Sequence, residues 1–224
     1  MVCEAGHCGK QDRRNRGLIL DISWGVSSTQ RFFRDESHAC YAFRMDQTTP
    51  AEWIASGYLA RRDHQLDEAR NCFSRALHLC GASDDKLHSA QAHAGLGQIE
   101  RDRKNTGAAL KHYQLAVELY RKQDAPLALA HTIRHVADIL LEEGNLEPAQ
   151  RHYEEALAIY CAHEETPALD LANALRGYAL LTEKSGKTEE ATMLWQRTQA
   201  LYEQLGIEAG VKEVRSHLAF LMGR

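Results

Sequence analysis

His131 and His135 stand four residues apart in LAHTIRHVADILLEEG. On a helix that spacing turns two imidazoles to one side, where they could share a metal ion. Hydrolytic use of such a site needs a third ligand and an acidic residue after the first histidine, yet Thr132 follows and no third ligand is in register. A solvated or partner-facing pair is therefore expected. Cys3, His7 and Cys8, with His38 and Cys40, are zinc-binding residue types, but their spacing is not that of a zinc module. The GLG at Gly95–Gly97 has the outline of a nucleotide fingerprint, which requires a strand before it and a helix starting at it. Here the glycines fall inside a helical pattern, where small residues serve close packing. GxxxxGK[ST], HExxH and GxSxG patterns are absent. No catalytic residue, metal or cofactor is expected, and the chain reads as a non-enzyme.

The positioning elements follow from composition and period. With 44% hydrophobic and 26% charged residues and four prolines in 224 residues, the chain has the make-up of a folded, mostly helical protein. Its formal charge of −4 argues against nucleic acid as the main partner. No apolar run nears the roughly 20 residues that span a bilayer, and the N-terminus lacks a secretory pattern. A cytoplasmic protein without membrane contact is expected. Cys72, Cys80, Cys161 and the other three cysteines lack a regular framework, so reduced thiols are expected. Cys72 and Cys80 fall on a helix, as core residues.

One pattern recurs four times. Ala69, Ala109, Ala149 and Ala191 are followed four residues on by Phe73, Tyr113, Tyr153 and Trp195. Three residues further come Ala76, Ala116, Ala156 and, as the exception, Thr198; then Leu79, Leu119, Ile159 and Leu201; then Cys80, Tyr120, Tyr160 and Tyr202. These offsets share one face of a helix. Twelve residues before each leading alanine stands another small residue, Gly57, Gly97, Ala137 or Ala179, on a preceding helix. Small residues at both places let two antiparallel helices approach while the aromatic fills the space beside them. Gly144 and Gly186 suit the left-handed position that ends a helix. Thr166-Pro167 reads as an N-cap with proline at the first helical position, and Asp124-Ala-Pro126 as a looser version. Leu218-Ala219 repeats Tyr178-Ala179 and marks a last, unpaired helix.

Small, aromatic, small at these offsets resembles the tetratricopeptide repeat family, in a long-period variety similar to kinesin light chains, over about residues 51–222. The resemblance implies an all-α fold, a right-handed α-solenoid of stacked antiparallel helical hairpins in a TPR-like superhelix. The expected division is a non-repeat leader, 1–44, and a solenoid, 45–224, of four hairpins plus a C-terminal capping helix. The leader carries seven basic and five acidic residues and none of the repeat, and is expected to be poorly ordered and dispensable.

The resemblance also implies that first helices line a concave groove. Its expected partner-binding residues are Tyr58, Arg61 and Arg62; Gln98 and Arg101; His131, Arg134 and Asp138; and Asn173 and Arg176. Arginines recurring from unit to unit suit a protein or peptide carrying carboxylates, which guanidinium binds bidentately. The alternative is that Asp102, Asp138, Glu142 and Glu183 neutralise them as exposed ion pairs. Ile54 and Tyr58 stand where the family's two-carboxylate clamp has its opening lysine and asparagine, so a chaperone-tail clamp is not expected. The functional expectation is a protein–protein interaction scaffold or adaptor holding a peptide or partner helix. The second is a sensor or regulatory module of a larger signalling system, answering a small molecule or peptide.

Overall fold

The twelve-residue offset between small residue and alanine becomes a tight hairpin four times over. The computed structural model describes residues 49–223. The leader and its zinc-type donors, Cys3, His7, Cys8, His38 and Cys40, lie outside the described residues, as does the division expected at 44/45. Within them nine helices follow one another: α1 (Pro50–Arg62), α2 (Leu66–Ser83), α3 (Lys86–Asp102), α4 (Thr106–Tyr120), α5 (Pro126–Glu142), α6 (Leu146–Ala162), α7 (Ala168–Lys184), α8 (Thr188–Leu205) and α9 (Glu208–Met222). Helices α1/α2, α3/α4, α5/α6 and α7/α8 are the hairpins, and α9 packs on α8 as a terminal helix. Each hairpin also packs on the next, and first helices touch directly, α1 with α3 and α5 with α7. The chain is an all-α solenoid of stacked hairpins.

The leading alanines and the aromatics after them are fully buried: Ala69 and Phe73, Ala109 and Tyr113, Ala149 and Tyr153, Ala191 and Trp195. Each aromatic lies against the small residue of its own first helix. A β-carbon at Gly57 would fall 2.8 Å from the Phe73 ring, and one at Gly97 2.7 Å from Tyr113. The exceptional Thr198 is equally buried, and its hydroxyl donates to the Leu194 carbonyl at 2.9 Å, so no polar group is stranded. Cys72 and Cys80 are buried free thiols.

Every hairpin turn is closed in the same way. His64, Lys104, Gly144 and Gly186, at matching positions, all have positive φ, of 59°, 61°, 80° and 75°. The next residue's N–H then reaches back to the helix: Gln65 to Ala60, Asn105 to Glu100 and Asn145 to Leu140, each at 2.8 Å, and Lys187 to Thr182 at 3.1 Å. This is the Schellman closure, which favours glycine. Lys104 carries a side chain where a left-handed residue is strained. Lys104→Gly is expected to raise stability by about 0.5–1 kcal/mol and Gly144→Ala to lower it by a similar amount, read as opposite shifts of the urea midpoint.

The start of α7 differs from expectation. Thr166 is not its cap: Pro167 holds that position, and the Thr166 hydroxyl donates to the Tyr160 carbonyl at 2.9 Å. The side chain closes the preceding helix because Tyr160 lies within its reach. Pro126 does open α5, but Asp124 does not cap it; Ala125 stands at the cap without a side-chain bond.

Candidate partner-binding face

A second set of contacts joins each hairpin to the next. Two residues before the small residue of α3, α5 and α7, and at the same place in α9, stand Gly95, His135, Gly177 and His217. Each meets the aromatic of the preceding hairpin. Gly95 leaves room for Phe73 and Gly177 for Tyr153, where a β-carbon would approach to 2.4 Å and 2.5 Å. His135 stacks on Tyr113 with ring centroids 5.1 Å apart and planes 6° from parallel, and His217 on Trp195 at 4.3 Å and 13°. Glu183 sits behind the last stack, accepting from Trp195 Nε1 at 2.9 Å and meeting His217 Nδ1 at 2.9 Å. Glycine or histidine at this position thus sets how adjoining units meet.

Polar side chains of the first helices form a row across the unit boundaries. Arg61 on α1 grips Asp102 on α3 through Nε at 2.7 Å and Nη2 at 3.2 Å, while its Nη1 donates to Gln98 at 3.1 Å. Arg101 on α3 pairs with Glu142 on α5, and its Nη1 stands 3.5 Å from Asp138. Arg176 on α7 grips Glu213 on α9 through Nε at 2.8 Å and Nη2 at 2.5 Å. Arg134 instead turns along its own helix to Asp138, at 2.7 Å, and Asp138 also accepts from the Tyr153 hydroxyl at 2.7 Å. The carboxylate that answers Arg176 has no counterpart for Arg134: its place is taken by Asn173, whose Oδ1 accepts from Tyr202 at 2.9 Å.

The histidines at the centre are wired into this row. His131 Nδ1 lies 3.2 Å from Asp170 on α7, and its Nε2 lies 3.2 Å from His135 Nε2, which in turn accepts from Arg134 Nη2 at 2.9 Å. A guanidinium can only donate, so His135 Nε2 is the acceptor in that contact, not a metal ligand awaiting an ion. Among the described residues no group of three or more His, Cys, Asp or Glu side chains is placed to hold a metal. Burial, then the positive charges of Arg134, His131 and Arg101, hold the His135 pKa well below the usual histidine value. Burial opposes ionisation of Asp170, but the bond and charge of His131 and the charge of Arg134 outweigh it and lower its pKa. For Glu213 the Arg176 bond is the largest cause of a lowered pKa, against opposing burial.

His135 protonates less readily folded than unfolded, so its contribution to stability is present above about pH 6.5 and is lost as pH falls below it. Burial lowers His93, His112 and His152 in the same direction. Melting temperature is accordingly expected to fall between pH 7 and 5. His135→Gln keeps an acceptor for Arg134 but has no such proton to gain, and should melt with a visibly shallower pH dependence. Parallel profiles would refute the assignment.

A family model described as soluble NSF attachment protein, SNAP, matches residues 36–165, more than half of the chain. The chain belongs to the SNAP family. No curated protein sequence matches it. Among solved structures, this SNAP-family chain is similar to BtubC (BKLC) from P. vanneervenii, with 18% identity and a TM-score of 0.64 over 73% of this chain and 70% of that one. It is similar to a signal transduction ATPase with numerous domains and a tetratricopeptide repeat sensor from Pyrococcus horikoshii, at 17% and 0.66 over 77% of this chain and 26% of that one. It is also similar to the apo form of RapI, at 13% and 0.64 over 83% and 52%. These likenesses show the fold, a tetratricopeptide-type helical repeat.

In the SNAP-family solenoid the anticipated residues separate into two groups. Arg61, Gln98, Arg101, His131, Asp138 and Arg176 do join units of the row, while among the described residues Arg62 lies 3.6 Å from its neighbour Asp63. Tyr58 packs edge-on against Phe73 at 5.1 Å, and burial pushes its hydroxyl pKa up to about 12. Arg134 is buried, and Asn173 holds Tyr202. Asp170, Glu213 and His217 complete the row, beyond the residues expected from sequence. The signal for His217 was available: Gly95, His135, Gly177 and His217 recur at spacings of 40, 42 and 40. No helix among the described residues is long and apolar enough to cross a membrane.

Proposed function

We propose that this SNAP-family solenoid is a non-enzymatic scaffold that holds a peptide or a helix of a partner protein along its first-helix face. The observation that carries the reading is the row from Arg61 to Glu213, which runs over five successive first helices. A repeated surface of this kind contacts an elongated ligand at regular intervals, whereas chemistry needs convergent groups at one point. Arg61, Gln98, Arg101 and Arg176 are the contact residues, and Tyr58, Arg134, Asp138 and Asn173 hold the helices that present them. The division into a dispensable leader, 1–44, and a binding solenoid, 45–224, belongs to the same reading.

Photo-crosslinking amino acids at Gln98 and Glu142, on first helices, and at Leu115 and Met193, exposed on second helices, test it. Crosslinked partner protein should be recovered from the first pair and not the second. Recovery from Leu115 or Met193 alone would move the site to the other face. A melting shift with a small metabolite, and no crosslinked protein, would favour the sensor reading.

A further inference from the structure

The arginines of the row differ in how firmly their carboxylates are held. Arg61, Arg101 and Arg176 each reach across a unit boundary, and their side chains are 31%, 28% and 39% exposed. The carboxylates they grip across the boundary, Asp102, Glu142 and Glu213, are 35%, 58% and 35% exposed, and Arg101 stands 3.5 Å from Asp138 as well. Arg134 is the internal contrast: its side chain is 10% exposed, and Asp138 is fixed from behind by Tyr153. Ion pairs open to water contribute little individually and exchange readily, while a buried pair is costly to part. Arg61 and Arg176 moreover present the two-nitrogen fork that any carboxylate fits.

We infer that Asp102, Glu142 and Glu213 are built-in competitors that mask Arg61, Arg101 and Arg176 until an acidic protein segment displaces them. The exchange swaps one charge pair for another of the same chemistry, so no single rung favours the partner. A segment offering several carboxylates engages the rungs together, and each later rung is an intramolecular event. A ligand with one carboxylate gains nothing from this and is excluded. Because the same pairs tie α1 to α3, α3 to α5 and α7 to α9, occupation also loosens the ties between units at those boundaries. Arg134 takes no part in the exchange and keeps α5 fixed.

This inference rests on the partner-face reading, and its test is separate. A fluorescent oligoglutamate peptide is titrated against the full chain at low salt and followed by anisotropy. The amide variant Asp102→Asn/Glu142→Gln/Glu213→Gln should bind roughly tenfold more tightly than the wild type, and further change of Arg61, Arg101 and Arg176 to Gln should remove the gain. The control Glu118→Gln/Glu164→Gln/Glu189→Gln alters the net charge equally on exposed carboxylates away from the row. It should change affinity less than twofold. Unchanged binding by the amide variant, an equal gain in the control, or a gain that survives loss of the arginines would each overturn masking. The single variant Glu142→Gln, at the most exposed rung, should show a smaller gain and serves if the triple variant does not fold. Crosslinks at Gln98 and Glu142 without any gain in the amide variant would end masking and leave the scaffold reading standing.

Discussion

Trp195→Ala is expected to lower stability by about 3–5 kcal/mol. The indole is fully buried, fills the last hairpin against Ala179, and stacks on His217 of α9. Its N–H is held by Glu183, which also meets His217. Truncation removes the packing, leaves a cavity, and strips Glu183 of a donor in a nearly enclosed place. Helix α9 should detach first, seen as faster amide exchange over 208–222 before global melting. Trp195→Phe keeps most of the ring and loses only the N–H bond, so it should cost less than half as much. A loss under about 1 kcal/mol for Trp195→Ala would mean that the register of the fourth unit is wrong.

Gly95→Val should also destabilise, by less and for the opposite reason. A β-carbon at Gly95 would fall 2.4 Å from two Phe73 ring atoms, at the contact where the first and second hairpins meet. Phe73 is fully buried and cannot swing away. Overpacking of this kind costs about 1–3 kcal/mol, and it must also cancel what a helix gains on losing a glycine. Gly81, also helical, has nothing within 4 Å of a β-carbon. Gly81→Ala should therefore stabilise by about 0.5–1 kcal/mol. Denaturant midpoints moving in opposite directions for the two glycines are the expected result.

The contrast between these glycines shows what could be read in the chain and what could not. The aromatic and small positions recur at 40, 40 and 42 residues because each unit is one hairpin stacked on the next and packed through the same positions. That regularity locates eight helices and, through Leu218-Ala219, the ninth. It also places Gly144 and Gly186 at left-handed turns. His64 and Lys104 occupy the same backbone state without glycine, and no residue type betrays them. The arginines of the row are legible in the sequence as a set on first helices. Their pairing is not, because a helix face says nothing about the rotation of the next helix. Arg101 and Arg134 look alike as sequence, yet one reaches Glu142 on the next helix and the other folds back on Asp138. The Thr166 hydroxyl departs from the expected cap for a similar reason: cap and closure differ only in which way along the chain the side chain turns.

The central claim, that a partner protein lies along the first helices, is tested most directly by hydrogen–deuterium exchange of the full chain with and without its crosslink-identified partner. Protection is expected in 50–62, 86–102, 126–142 and 168–184, with α4, α6 and α8 unchanged. Protection confined to α4, α6 and α8, with the first helices exchanging as before, would contradict it.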